Sequence, residues 1–242
     1  MKKFMLLALF PVLLASCGGG SPSGSAPSPQ PGPEPVPAAA SAYAATGNAL
    51  YRVVLSGSGT DTKLADLAPA SPITDLAWDG STLYGVTFSQ LLKIDVASGA
   101  ITVVGPLGVG DMNALTFDKN GNLYGAGNGG AFYTIDKATG AASNVGPMGF
   151  FSSGDLAFTA DGTLYAAGTL DPFGPDSLIR IDLGTGKGTA VGSIGFNLVF
   201  GLNVQGSVLY GLTSVGQLLT INTSTGAGTL VRDTGLPVTG LQ

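Results

Sequence analysis

A Tyr followed by a small residue returns along this chain at a nearly fixed interval. The pairs are Tyr43-Ala44, Tyr84-Gly85, Tyr124-Gly125, Tyr165-Ala166 and Tyr210-Gly211, spaced 41, 40, 41 and 45 residues apart. Self-similarity at that period means a ring or array of small units, each too small to bury its apolar face alone. The order inside a unit is constant. A short apolar segment comes first, at Thr74–Trp78, Asn113–Phe117, Gly154–Phe158 and Phe200–Val204. A turn follows at Asp79-Gly80, Asn120-Gly121, Asp161-Gly162 or Gln205-Gly206; Asx-Gly pairs suit tight hairpins because both residues tolerate positive φ. The Tyr strand comes next, then a third strand ending in Ile94-Asp95, Ile135-Asp136, Ile181-Asp182 or Ile221-Asn222. A Ser/Thr-Gly turn (Ser98-Gly99, Thr139-Gly140, Thr185-Gly186, Thr225-Gly226) leads to a fourth strand such as Thr102–Val104.

Four short antiparallel strands per 40 residues is the period of a propeller blade. No window carries apolar residues at i, i+3, i+4 and i+7 over three turns, so helices are not expected. The two ends of the repeat region complete each other. Residues 42–68 supply a second, third and fourth strand but no first, and Leu50–Val53 aligns without gaps on Leu91–Ile94. The missing first strand appears at Val238–Gln242, where Leu241 falls on Leu76, Leu115, Leu156 and Leu202. The expected fold is therefore all-β: a five-bladed β-propeller of four-stranded antiparallel blades, closed by the C-terminal strand joining the N-terminal blade, over residues 42–242. Closure of this kind removes free sheet edges at the rim.

The unit Leu-Tyr-Gly followed by Ile-Asp-x-x-Thr-Gly, best seen in Ile135–Gly140 and Ile181–Gly186, resembles the repeats of extracytoplasmic bacterial propellers, including those of quinoprotein type. The resemblance covers residues 42–242. Where the quinoprotein repeat places a Trp after the Gly, this chain has Val103, Ser143 and Ala190, and its sole Trp, Trp78, lies elsewhere. No cofactor is expected on that ground.

The chain starts Met1-Lys2-Lys3 and then runs apolar to Ala15. Two positive charges and some dozen apolar residues form the n- and h-regions of a signal peptide, and the run is too short to span a bilayer. Leu14-Ala15-Ser16-Cys17 resembles the lipobox of bacterial lipoproteins. That resemblance implies cleavage after residue 16 and lipidation of Cys17, the only Cys in the chain. Durable anchoring takes more than one acyl chain. Gly18 after the Cys resembles the outer-membrane sorting pattern of enteric bacteria. The implied location is the bacterial cell envelope, lipid-anchored in the outer membrane, facing the periplasm or the surface. Residues 17–41 are Gly, Ser, Pro and Ala with one charge, Glu34, and read as a disordered spacer.

The chemistry of the repeats is defined by missing residue types. There is no His, and the only Glu is Glu34. This removes the commonest general base and transition-metal ligand, and it removes the Glu acid that five-bladed glycoside hydrolases use. What remains is a set of Asp residues. Asp75 and Asp155 occupy matching positions on inner strands, Asp111 lies in a nearby loop, and Asp171 and Asp176 lie in the longest insertion. These five are the candidate ligand-binding residues: a carboxylate cluster could take Ca²⁺ or a hydroxylated ligand. The plainer alternative is that they satisfy local backbone N–H groups. Asp118–Asn122 looks briefly like a calcium loop but falls where every repeat turns. Phe150, Phe151, Phe173 and Phe200 could form an apolar patch at the loop-bearing end.

Without Lys2 and Lys3 the basic residues fall to eight against fifteen acidic ones, a formal −7. Basic residues are scattered singly, so no nucleic acid partner is expected. The expected function is a non-enzymatic binding or interaction propeller, joined to a membrane through its N-terminal lipid and taking a protein or carbohydrate at its loop-bearing face. A scaffold for envelope assembly and an Asp-based, metal-dependent lyase or hydrolase are the alternatives.

Overall fold

The computed structural model describes residues 39–56, 59–171 and 174–242. The signal peptide, Cys17 and most of the spacer lie outside the described residues. Twenty strands and no helix are found among the described residues. The second blade is the simplest to follow. Its strands are β4 (Asp75–Trp78), β5 (Leu83–Val86), β6 (Gln90–Ile94) and β7 (Ile101–Pro106), paired in chain order. The third blade holds β8 (Met112–Phe117), β9 (Leu123–Gly127), β10 (Ala131–Ile135) and β11 (Ala142–Pro147). The fourth holds β12 (Phe151–Phe158), β13 (Leu164–Thr169), β14 (Ser177–Ile181) and β15 (Gly188–Ser193), and the fifth β16 (Val199–Gln205), β17 (Val208–Thr213), β18 (Gln217–Ile221) and β19 (Gly228–Asp233).

The first blade is composite. Its second to fourth strands are β1 (Ser41–Thr46), β2 (Ala49–Val54) and β3 (Thr62–Asp66), and its inner strand is β20 (Val238–Leu241), so the sheet order is β20-β1-β2-β3. Ala44 faces Leu241 and Ala45 faces Gly240 in antiparallel register. The Tyr43 and Gln242 amides exchange backbone hydrogen bonds of 2.6 and 2.7 Å. The ring is thus a five-bladed β-propeller, closed as the sequence pattern predicts.

The sheets are radial, so the faces of each blade bury against its neighbours. Five apolar clusters result, one per interface. Between the second and third blades, for example, Tyr84, Val86 and Leu91 pack with Met112, Leu115 and Tyr133. At the closing interface Ala44, Val53 and Leu241 meet Tyr210, Leu212 and Leu218. The inner-strand leucines Leu76, Leu115, Leu156, Leu202 and Leu241 are all fully buried.

Glycines at two repeated positions let the blades approach at their outer edges. Gly105, Gly146 and Gly192 in the fourth strands each lie under the turn of the next blade, where an added Cβ would collide with the carbonyl of Thr139, Thr185 or Thr225. The partner glycines Gly140, Gly186 and Gly226 have φ of 84, 75 and 80°. That region admits Gly readily and other residues poorly. Backbone hydrogen bonds cross the same seams: Ala142 N–H donates to Leu107 C=O, Gly188 to Met148 and Gly228 to Ile194. The closing interface carries an additional clasp. The Arg232 guanidinium donates to both carboxylate oxygens of Asp61 and to the Val54 carbonyl.

Removal of residues 237–242 strips the inner strand from the first blade and exposes its partners. Leu241 alone is a fully buried side chain, and truncating such a Leu to Ala typically costs about 2–5 kcal/mol. We expect Leu241→Ala to lower the midpoint of thermal unfolding by roughly 5–15 °C. The 237–242 deletion should abolish a single cooperative transition, checked by calorimetry.

Candidate functional site

In a radial sheet the innermost strand has one edge facing the axis, and its N–H groups there need partners. Four of the five inner-strand leucine amides meet this need through two side chains. Asp75 accepts from Leu76 N at 2.7 Å and from Leu115 N of the next blade at 2.6 Å. Asp155 repeats the arrangement, accepting from Leu156 N and Leu202 N. Two carboxyl groups therefore cap four of the five leucine amides around the axis. The equivalent positions in the other blades are Ala114, Gly201 and Gly240; a Cβ on Gly240 would overlap the Asp75 carboxylate, and one on Gly201 the Leu241 side chain.

Asp75 and Asp155, both fully buried, also contact one another through their carboxyl groups. Burial raises both well above the usual Asp range, and the charge of Asp155 raises Asp75 further. Two carboxyl groups in contact away from water resist double ionisation, so the pair holds a proton to higher pH than an ordinary Asp would.

The other sequence candidates take separate places. Asp176 is buried and joins the fourth and fifth blades: it accepts from Ser153 Oγ at 2.5 Å and from Val199 N at 2.7 Å. Burial raises it too. It pins the turn containing Leu198, the only non-glycine residue with positive φ among the described residues (55°). Asp111 braces the β9–β10 turn, accepting from Gly129 N at 3.3 Å. Asp171 is exposed in the insertion, where its backbone bonds Thr169 and Gly174. The structure thus brings Asp75 and Asp155 together and leaves Asp111, Asp171 and Asp176 at their own loops. Among the described residues no three His, Cys, Asp or Glu side chains group so as to hold a metal ion. Asp118 uses its carboxylate on the Asn120 and Asn122 amides of its own turn. Of the loop phenylalanines, Phe151 is half exposed, Phe150 packs into the core between the third and fourth blades, and Phe173 lies outside the described residues.

A concavity lies at the opposite end of the axis, among the first turns of the blades. It measures about 630 Å³ and is floored by Trp78, Phe117, Phe158 and Val204, with Asp79, Asp118, Lys119 and Asn120 at its rim. These four apolar residues are equivalent, each two positions after an inner-strand Leu. Three of them are held in place by the second-strand Tyr of the preceding blade. Trp78 lies 5.5 Å from Tyr43, Phe117 5.3 Å from Tyr84, and Phe158 5.6 Å from Tyr124. Lys137 Nζ stands over the Phe117 ring at 5.5 Å and 3.8 Å from Asp79. A second concavity of about 390 Å³ shares Trp78 and Val204 and adds Arg52, Asn203, Gln205 and Gln242. Sequence reasoning places binding at the loop end and misses this mouth. Its signal is the aromatic that closes each of three successive inner strands, which reads equally well as core.

No protein-family model matches this chain, and no curated protein does. Solved structures do. A chain of the nidogen/laminin complex aligns with a TM-score of 0.55 at 14% identity, over 83% of this chain and 96% of that one. The extracellular domain assigned to a hybrid two-component system of B. thetaiotaomicron gives 0.45 at 14% identity, over 79% of this chain but only 28% of that one. The PQQ-bound aldose sugar dehydrogenase of Streptomyces coelicolor gives 0.47 at 16%, over 64% and 60%. At such identities the likeness is one of fold.

The carboxyl pair gives stability a defined pH dependence. A carboxyl whose folded pKa is raised binds its proton more tightly when folded, so its contribution falls as pH rises above the unfolded value near 4. The turn residues Asp79, Asp95, Asp118, Asp136, Asp161 and Asp182 are lowered instead; theirs is lost as pH falls below that value. Stability should peak in mildly acid solution and decline toward neutral by about 1.4 kcal/mol per pH unit for one retained proton. Urea midpoints from pH 3 to 8 measure this, and Asp75→Asn should flatten the upper limb.

Proposed function

We propose that this protein is a non-enzymatic binding module of the bacterial cell envelope, anchored through a lipidated Cys17 and taking its ligand in the aromatic-floored mouth at the first-turn end of the propeller. The observation that carries the reading is that mouth: a concavity within the usual size range of small-ligand sites, lined by aromatic side chains that neighbouring tyrosines fix in place. Fixed aromatic surface binds with little loss of side-chain freedom. The carboxyl groups nearest the axis, by contrast, are occupied with backbone amides, which favours a structural part for them over metal-assisted catalysis. Envelope location rests on the Leu14–Cys17 pattern and the spacer composition.

The sole Trp, Trp78, lies in the mouth, so its emission reports occupancy there. Peptide, glycan and lipid fractions of the producing cell's envelope are added in turn to the full mature chain. One fraction should shift Trp78 emission and shield it from acrylamide, and Phe117→Ala with Phe158→Ala should reduce the effect at least tenfold. If no fraction alters the emission, the mouth is not the ligand seat. For the anchor, palmitate should label the wild-type chain and be lost in Cys17→Ser, which should leave the membrane fraction.

A further inference from the structure

The two concavities at the mouth adjoin along Trp78 and Val204 but differ in chemistry. The larger offers ring faces. The smaller is lined by amides: Asn203, Gln205 and Gln242, with Ser41, Tyr43 and Arg52 beside them. Two observations indicate what these amides lack. Asn203 is 5% exposed, and its Oδ1 accepts from Gln205 Nε2 at 3.1 Å. That bond orders both amides and leaves the Asn203 Nδ2 donors and the Gln205 Oε1 acceptor for another group. Gln242 Oε1 is buried and has no donor among the described residues. A buried acceptor without a donor costs about 1–3 kcal/mol, and native proteins seldom leave one.

We infer that the mouth is a two-part saccharide seat, in which one sugar ring lies against Trp78 and hydroxyl groups of the same or the next ring are read by Gln242, Asn203 and Gln205. This rests on the mouth being the ligand seat and names the ligand's class. A pyranose presents an apolar C–H face together with hydroxyls that donate and accept at once. The first suits an indole steadied by a tilted ring contact with Tyr43; the second suits amides, which offer both roles in one plane. A purely apolar ligand would leave Gln242 Oε1 buried without a donor. A strongly anionic ligand would meet Asp79 and Asp118 at the rim in a chain of net charge −5. Two adjoining spaces of about 630 and 390 Å³ fit more than one ring, so short oligosaccharides should bind more tightly than single sugars.

The test is a Trp78 emission titration of the full mature chain with chitotriose, maltotriose, cellotriose, xylotriose and mannotriose, alongside calorimetry. At least one should bind saturably, more tightly than its monosaccharide. Gln242→Leu should weaken it tenfold or more with an unchanged melting temperature; if that variant melts early, Gln205→Leu takes its place. Failure of all five to bind overturns the saccharide assignment, as does binding that survives both variants. The two readings separate cleanly. A peptide or lipid fraction that shifts Trp78 emission where no saccharide does leaves the seat standing and removes the sugar. A saccharide that binds by calorimetry with Trp78 emission unmoved puts the ligand elsewhere, and both readings fall.

Discussion

Five strand edges converge on one narrow axis, and their outward-facing amides must be satisfied where there is little room for anything else. Larger rings can leave this task to solvent. Here two aspartates do most of it, each spanning from its own strand to the next, so that Asp75 and Asp155 between them serve four of the five inner leucine amides. Local and global structure meet at this point. The Asp75 carboxylate fits only because Gly240 holds no side chain at the matching site. Burial raises both carboxyl groups well above the usual Asp range, and their contact raises Asp75 further. The arrangement is a polar core inside an apolar shell, and its bonds run between blades, so it fixes the rotation of one sheet on its neighbour as well as satisfying donors.

The same economy holds at the periphery. At three of the five interfaces the Thr-Gly turn of one blade lies in the groove left by a fourth-strand Gly of the blade before it, and a backbone hydrogen bond crosses the seam. Between rim and axis the contacts are apolar. The interfaces between the second and third and between the fourth and fifth blades are therefore bonded at the edge, apolar in the middle and bonded again at the centre. The aromatic mouth is a by-product of this plan. The residue two places beyond each leucine leans on the preceding blade's Tyr, and three such pairs set side by side make a floor.

Most of the fold was legible because its signals are local and repeated. Asx-Gly and Thr-Gly pairs mark turns by a backbone requirement that few residues meet, and the interval between tyrosines counts strands. Even closure could be read, since Leu241 aligned with the other inner leucines while residues 42–68 lacked a partner for them. The site was less legible, for a physical reason. That Asp75 and Asp155 occupy equivalent positions is a fact of alignment; that they touch depends on the diameter of a five-membered ring, which no single repeat encodes. Asp111, Asp171 and Asp176 belong to loops whose paths are set by neighbouring blades. Trp78, Phe117 and Phe158 carry no mark distinguishing a half-buried strand end from core, and the buried Gln242 oxygen becomes evident only when the circle is complete.

The composite first blade has a consequence for how the domain comes into being. Its inner strand meets partners almost a whole domain away in sequence, as in the bond from Thr239 Oγ1 to Ala45 O across 194 positions. Bringing the ends of so long a segment together costs roughly 5 kcal/mol of chain entropy, recovered only after the four continuous blades have already curved into an arc. The seam should accordingly be the last joint to form and the first to part. The Arg232–Asp61 clasp sits on this joint, fastening the outer strands where the circle is thermodynamically weakest. Breathing of the ring is thereby concentrated at one known place, beside the strand that carries Tyr43 and the residue, Gln242, that faces the mouth.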